Sequence, residues 1–223
     1  MMTNWRETER HERLWVQVEP CLPPGEIAHD ALHIERVYRW ALKLAAEHGV
    51  SRELAGAAAL VHDLVAIPKD SVDRPLGGEK SALAAGPVLA AAGYSADQVA
   101  AVVDAVRTSS WSAGHAPRSP LGALLQDADR LDAIGVIGAA RCFATAQFMS
   151  KPDRPGRLYD PVDPFAKGDR ALDDRRQAID HFERKLLKLA ASMHSDLARR
   201  EAAKRQASML ALLAALRDEL SSD

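Results

Sequence analysis

Two histidines and two aspartates carry most of the chemistry this chain can offer: His33, the adjacent pair His62-Asp63, and Asp129. Each falls on, or at the end of, a segment that otherwise reads as buried helix. Burying an unmatched imidazole or carboxylate costs several kcal/mol, and one shared metal ion would satisfy all four. Two imidazoles and two carboxylates suit a divalent transition metal with open coordination positions, such as Mn2+, Fe2+ or Zn2+, more naturally than Mg2+. Adjacent helical side chains point about 100° apart. A metal lodged between His62 and Asp63 is therefore within reach of both, provided other helices supply further ligands.

Each residue also has a plainer reading. A second His-Asp dipeptide occurs at His29-Asp30, and His62-Asp63 alone reads as the polar end of a helix. Alone, His33 reads as a core histidine bonded to a backbone carbonyl. Asp129 reads equally as a helix-end carboxylate paired with Arg130 or Arg141. Asp127 and Asp132 are expected to be exposed or to stand behind the ligands. His48, His181 and His194 read as surface or packing residues, and His11 and His115 have no context.

The elements that must position these residues read as helices throughout. Asn4 to Val18 is amphipathic, with Trp5 and Trp15 on its apolar side. Asp30 to about His48 carries the stripe His33, Val37, Trp40, Ala41 and Leu44 at the spacing of one buried face, and Gly49 closes it. Ser51 caps a third helix rich in Ala, Leu and Val. Pro68 places its end near Ala66. The polar loop from Ile67 to Gly78 follows. Helices are then expected over Lys80 to Ala92, and from the capping box Ser95-Ala96-Asp97-Gln98 to Arg107. Ser119-Pro120 opens another helix, which contains Asp129. Gly135 and Gly138 allow close packing before a helix that ends near Ser150. Lys151 to Arg170 is a long loop, the kind that often serves as a lid. Two final helices carry the stripes Ile179, Phe182, Leu186, Leu189, Met193 and Leu197, Met209, Leu213, Leu216, Leu220, and they are expected to pair. The whole reads as all-α, a single domain over 1–223 with its core at about 26–194, helix 4–18 and helix 196–220 being appendages.

Composition narrows the function classes. Among 223 residues, 29 Lys and Arg face 31 Asp and Glu, a net charge of −2. That gives no general affinity for nucleic acid or membranes, and Arg199, Arg200, Lys204 and Arg205 read as a solvated face. Cys21 and Cys142 match no zinc spacing and read as free thiols. Met1 to Glu12 is polar, unlike a signal peptide, and no apolar run approaches bilayer-crossing length. A cytoplasmic location is expected.

The order His33, His62-Asp63, Asp129 resembles the signature of the HD-domain phosphohydrolase superfamily. The likeness extends through His29-Asp30-x-x-His33-x-x-Arg36-Val37, Val61-His62-Asp63 with Ile67-Pro68-Lys69-Asp70, and Gln126-Asp127-Ala128-Asp129-Arg130-Leu131-Asp132-Ala133-Ile134-Gly135. With Asp180-His181-Phe182 and Lys185-Leu186-Leu187-Lys188-Leu189, it covers about 26–217 and looks like the small bacterial HD hydrolases of the YpgQ and YedJ type. The resemblance implies a helical bundle holding one divalent metal on His33, His62, Asp63 and Asp129. Mn2+ is the first choice, with Mg2+, Fe2+, Zn2+, Co2+ or Ni2+ as the others. It implies release of pyrophosphate from nucleoside triphosphates. The superfamily also includes 5′-nucleotidases and phosphodiesterases of cyclic nucleotides or guanosine tetraphosphate. One departure stands out: Ser109 occupies a place where relatives often have a histidine.

Around that centre, His29 or Asp30 is placed to orient a nucleophilic water or to steady the His33 ring, Asp30 reading equally as a helix cap. Glu79 is a further candidate base. Lys69, Lys80, Arg107 and Arg130 are candidates for phosphate charge, and Tyr159 for stacking on a base. Two other classes stay open: a diiron oxygenase, which needs additional histidines on neighbouring helices, and a nucleotide sensor without turnover. A homodimer is also left open.

Overall fold

The computed structural model describes residues 5–67 and 71–221. Among them the regular structure is helical, with two isolated bridges, Lys151 to Arg154 and Arg157 to Gln177. The chain forms two compact units, one of residues 1–25 and 29–129, the other of residues 26–28 and 130–223. No helix among the described residues is long and apolar enough to cross a membrane.

The first unit is built from α1 (Glu9–Val18), α2 (Ala31–Leu44), α3 (Arg52–Val61), α4 (Gly77–Ala91), α5 (Ala96–Arg107) and most of α6 (Pro120–Asp132). Its axis is α3, where every residue from Ala55 to Val61 is buried. A helix apolar on all sides must be covered on all sides, and α1, α2, α4 and α5 all pack against it. Small side chains make this possible. A Cβ at Gly56 would run into the His11 ring and lie 2.8 Å from Cε2 of Tyr38.

Local signals account for most helix starts. Thr8, Asp30, Ser51 and Ser95 each accept a backbone N–H two or three residues into the helix, and Ser95 with Gln98 forms a full capping box. The first helix begins at Glu9 rather than near Asn4, because the Thr8 side chain caps it there. Trp5 lies outside the helix and packs edge-on against Trp15 and Tyr38. α2 ends at Leu44, and residues 45–49 form a closing turn finished by Gly49 at φ +64°. α3 ends at Val61, earlier than Ala66. Proline constrains only the residue before it, and the end is set instead by His62, whose ring takes up the Ala59 carbonyl of the last turn. α4 starts at Gly77, three residues before Lys80, led in by the turn Arg74–Leu76.

The second unit holds the last turn of α6, α7 (Gly135–Met149), a π-helical turn (Phe182–Leu186), the short α8 (Leu187–Leu189), a 3-10 turn (Ala190–Ser192) and α9 (Asp196–Leu220). Gly135 adopts φ +82°. A Cβ on Gly138 would collide with the carbonyl of Ala133, so both glycines are required where they stand. The stripe from Ile179 to Met193 is divided among three kinds of turn, not carried by one helix. α9 packs mainly along α7 and touches α8. The long loop continues past Arg170, which anchors it by a bidentate bond to the buried Asp180 at 2.7 Å for each arm.

Candidate metal centre

Three helices of the first unit bring the expected ligands together. His33 stands in the first turn of α2, placed there by Asp30, whose Oδ1 accepts the His33 backbone N–H at 3.0 Å. His62 and Asp63 follow the end of α3, and Asp129 lies on α6. Nε2 of His33 is 3.7 Å from Asp63 Oδ2 and 3.9 Å from Asp129 Oδ1. Nε2 of His62 has the same two spacings, 3.7 and 3.9 Å. The ligand atoms of His33, His62 and Asp129 all lie within 4.8 Å of one another.

The donor set fits a divalent metal. Ligand atoms about 2.1 Å from a common ion are roughly 3.0 Å apart when adjacent and roughly 4.2 Å apart when opposite, and the imidazole–carboxylate spacings of 3.7 and 3.9 Å fall between the two. Nδ1–H of His62 donates to the Ala59 carbonyl at 2.8 Å, which leaves the lone pair on Nε2. That nitrogen is buried and has no hydrogen-bond partner among the described residues. A buried acceptor in this state is costly and is what a metal ligand looks like before its ion is counted. Two carboxylates supply two negative charges, and both remain partly exposed, so the centre is open on one side. Loss of solvent opposes ionisation of Asp63, but the positive charge that the His62, His33 and His29 rings carry when protonated, with a hydrogen bond from His33, outweighs it and holds the carboxyl well below the usual carboxylate range; a bound cation would act in the same direction.

The other expected site residues fare differently. The His29 ring lies edge-on to His33 with centroids 5.7 Å apart, beside the cluster. Asp30 caps α2. Glu79 accepts from Arg107 Nε at 2.8 Å, and Lys80 pairs with Asp73 at 3.2 Å, so none of these three bonds to the cluster. Arg130 is nearly buried and donates to the Ser192 carbonyl at 2.7 Å within the second unit. Tyr159 belongs to an open depression lined by Arg157, Leu158 and Pro161. Lys69 lies outside the described residues. Ser109 is buried and donates its hydroxyl to the Val106 carbonyl at 2.9 Å, closing α5 in the place expected for a histidine.

Several polar residues whose place the sequence left open are buried. Asp127 and Asp132 are fully buried, not exposed. Asp132 binds Arg141 at 2.7 Å, and Asp127 lies 3.2 Å from Nε2 of His48. His11 is also fully buried, with Nε2–H donating to the Glu53 carbonyl and Nδ1 accepting from the Tyr38 hydroxyl. The His11 and His48 pairings leave no local trace, because the partners are 27 to 79 residues apart.

The HD domain family signature matches residues 31–134, the span holding all four clustered side chains. The chain is 29% identical over 219 residues to YpgQ of Bacillus subtilis, covering 96% of each. The crystal structure of a Lactobacillus plantarum protein matches with a TM-score of 0.75 and 31% identity over 98% of this chain and 100% of that one. B. subtilis YpgQ in complex with ADP matches at 0.69 and 28%, over 95% and 98% of the two chains. An HD-superfamily hydrolase from Bacillus thuringiensis matches at 0.70 and 27%, over 96% and 98%.

Proposed function

The chain belongs to the HD domain family, and on that premise we propose that it is a metal-dependent phosphohydrolase that releases pyrophosphate from nucleoside triphosphates. The observation that carries the reading is the convergence of His33, His62 and Asp129, whose ligand atoms lie within 4.8 Å of one another, with Asp63 Oδ2 3.7 Å from both imidazoles. The similarity to a structure of YpgQ with ADP favours a nucleotide as substrate. Mixed imidazole and carboxylate donors suit a divalent transition metal, of which Mn2+ is the one proposed.

When bound, the metal lowers the pKa of a water and polarises a phosphoryl oxygen. His62 presents Nε2 as a donor because its Nδ1–H is spent on Ala59, the arrangement that fixes a ligand's tautomer and orientation. Asp63 stays ionised and balances charge. Asp30 acts by starting α2 one turn before His33. His29, half-buried beside His33, is the side chain proposed to orient the attacking water and take its proton. Arg107 and Lys80 are proposed to meet phosphate charge. Their present partners are surface carboxylates, and such pairs are worth only about 0–1 kcal/mol, little enough to be exchanged.

The test is a product assay with Mn2+, then Mg2+, on a panel of nucleoside mono-, di- and triphosphates, with Asp63→Ala alongside. Pyrophosphate and monophosphate from triphosphates, absent in the variant, is the expected result. Orthophosphate from monophosphates would replace this reading with a nucleotidase. No product with any metal would rule out hydrolysis.

A further inference from the structure

α6 carries Asp129, and the same helix buries polar side chains that the proposed chemistry does not use. Gln126 and Asp127 are both fully buried. Gln126 Nε2 donates to the carbonyls of Thr108 at 2.6 Å and His115 at 3.0 Å. Asp127 Oδ2 lies 3.2 Å from Nε2 of His48, whose side chain is 7% exposed. Taking an imidazole and a carboxylate out of water is expensive, and replacing such a pair by apolar groups is often neutral or better. Packing alone does not account for it.

Its place in the fold does. His33 stands in the first turn of α2, and His48 in the turn that closes the same helix. That turn is held by His48 N–H on the Leu44 carbonyl at 3.2 Å and Val50 N–H on the Ala45 carbonyl at 2.9 Å. Asp127 and Asp129 are two residues apart on α6, so they point about 160° apart around the helix. Residues 31–49 therefore meet α6 at two points, His33 Nε2 at 3.9 Å from Asp129 and His48 Nε2 at 3.2 Å from Asp127. A helix with its side chains is about 5–6 Å in radius. A roll of about 20° would carry the Asp129 carboxylate roughly 2 Å, about one metal–ligand bond length. The Asp127 and Gln126 bonds oppose that roll.

We infer that His48 and Asp127 form a positioning pair that sets the roll of α6 and so delivers the Asp129 carboxylate to the metal. The inference rests on the metal-site reading above.

Mn2+ affinity of the metal-stripped full chain, measured by chelator competition, tests it. His48→Phe keeps the ring volume and removes the N–H; it is expected to weaken binding roughly ten-fold, as loss of a group supporting a ligand does. His48→Gln restores a terminal N–H and is expected to recover most of the affinity. Leu14→Ala, a cavity in α1, is expected to lower the melting temperature and leave affinity unchanged. Wild-type affinity in His48→Phe would overturn the pair as a positioning device, and so would an equal loss in Leu14→Ala. If His48→Phe loses its helical circular dichroism, Asp127→Asn replaces it. A smaller loss of affinity in that folded variant is expected, and no loss overturns the inference. A wild-type chain that binds no divalent metal would remove the metal-site reading, and this inference with it.

Discussion

The bond from His62 Nδ1 to the Ala59 carbonyl decides which nitrogen faces Asp63 and Asp129. It costs nothing extra, because a helix's last carbonyls lack partners within the helix. The same contact ends α3 and orients the ligand. His62→Ala is expected to weaken Mn2+ binding by more than about 100-fold, exceeding the 10–100-fold typical of groups one bond removed from a metal. The fold should remain helical, and calorimetric titration of the metal-stripped chain checks both. At this scale the proposed ligands were legible. His33, His62, Asp63 and Asp129 were readable because a titratable side chain on an apolar stripe is conspicuous. The pairing of His48 with Asp127 was not, because the partners are 79 residues apart.

At the scale of the element, the packing of α1, α2 and α3 turns on Gly56. Glycine in a helix costs about 1 kcal/mol relative to alanine, so Gly56→Ala would stabilise an isolated α3. In the folded chain the new methyl meets the His11 ring and Tyr38. That ring cannot yield easily, since both its nitrogens are bonded. Overpacking of this kind costs about 1–3 kcal/mol, and with His11 held at both nitrogens the upper part of that range applies, so a net loss of up to about 2 kcal/mol is expected in urea unfolding. Ser95→Ala, by contrast, removes an exposed capping box and should cost about 1 kcal/mol by the same measurement. The capping box was legible because its partners are three residues apart. The role of Gly56 was not, because its neighbours come from two other helices.

At the scale of the molecule, two measurements report on the first unit. Tyr38 is buried, and its hydroxyl both donates to His11 and accepts from the Glu7 N–H. Burial, helped by the carboxylates of Glu7 and Glu53, outweighs the Glu7 amide and pushes the phenol up from 10.0 to about 12. A folded-state pKa raised above the unfolded one means the stabilisation is complete below pH 10.0 and is lost as pH rises toward about 12. That loss amounts to about 2–3 kcal/mol. Tyr38→Phe should flatten the fall in stability over this range, as followed by urea unfolding. Metal is the second lever. At a free concentration about 100 times its Kd, an ion bound only by the folded chain adds roughly 2.7 kcal/mol. All four proposed ligands belong to the first unit. Calorimetry with Mn2+ should therefore move the transition of that unit, and Asp129→Ala should abolish the shift.

The sequence by itself determined the helical class and most helix starts, and it singled out the four proposed ligands. Those properties depend on periodicity, on caps a few residues long and on the cost of burying charge, all of which are local. Only the tertiary structure decided which polar residues are buried and that Glu79 is taken up by Arg107. It alone showed that His48 reaches Asp127. Such pairings depend on how helices far apart in the chain cross, and the geometry of a crossing is a property of surfaces in contact, which no single segment contains.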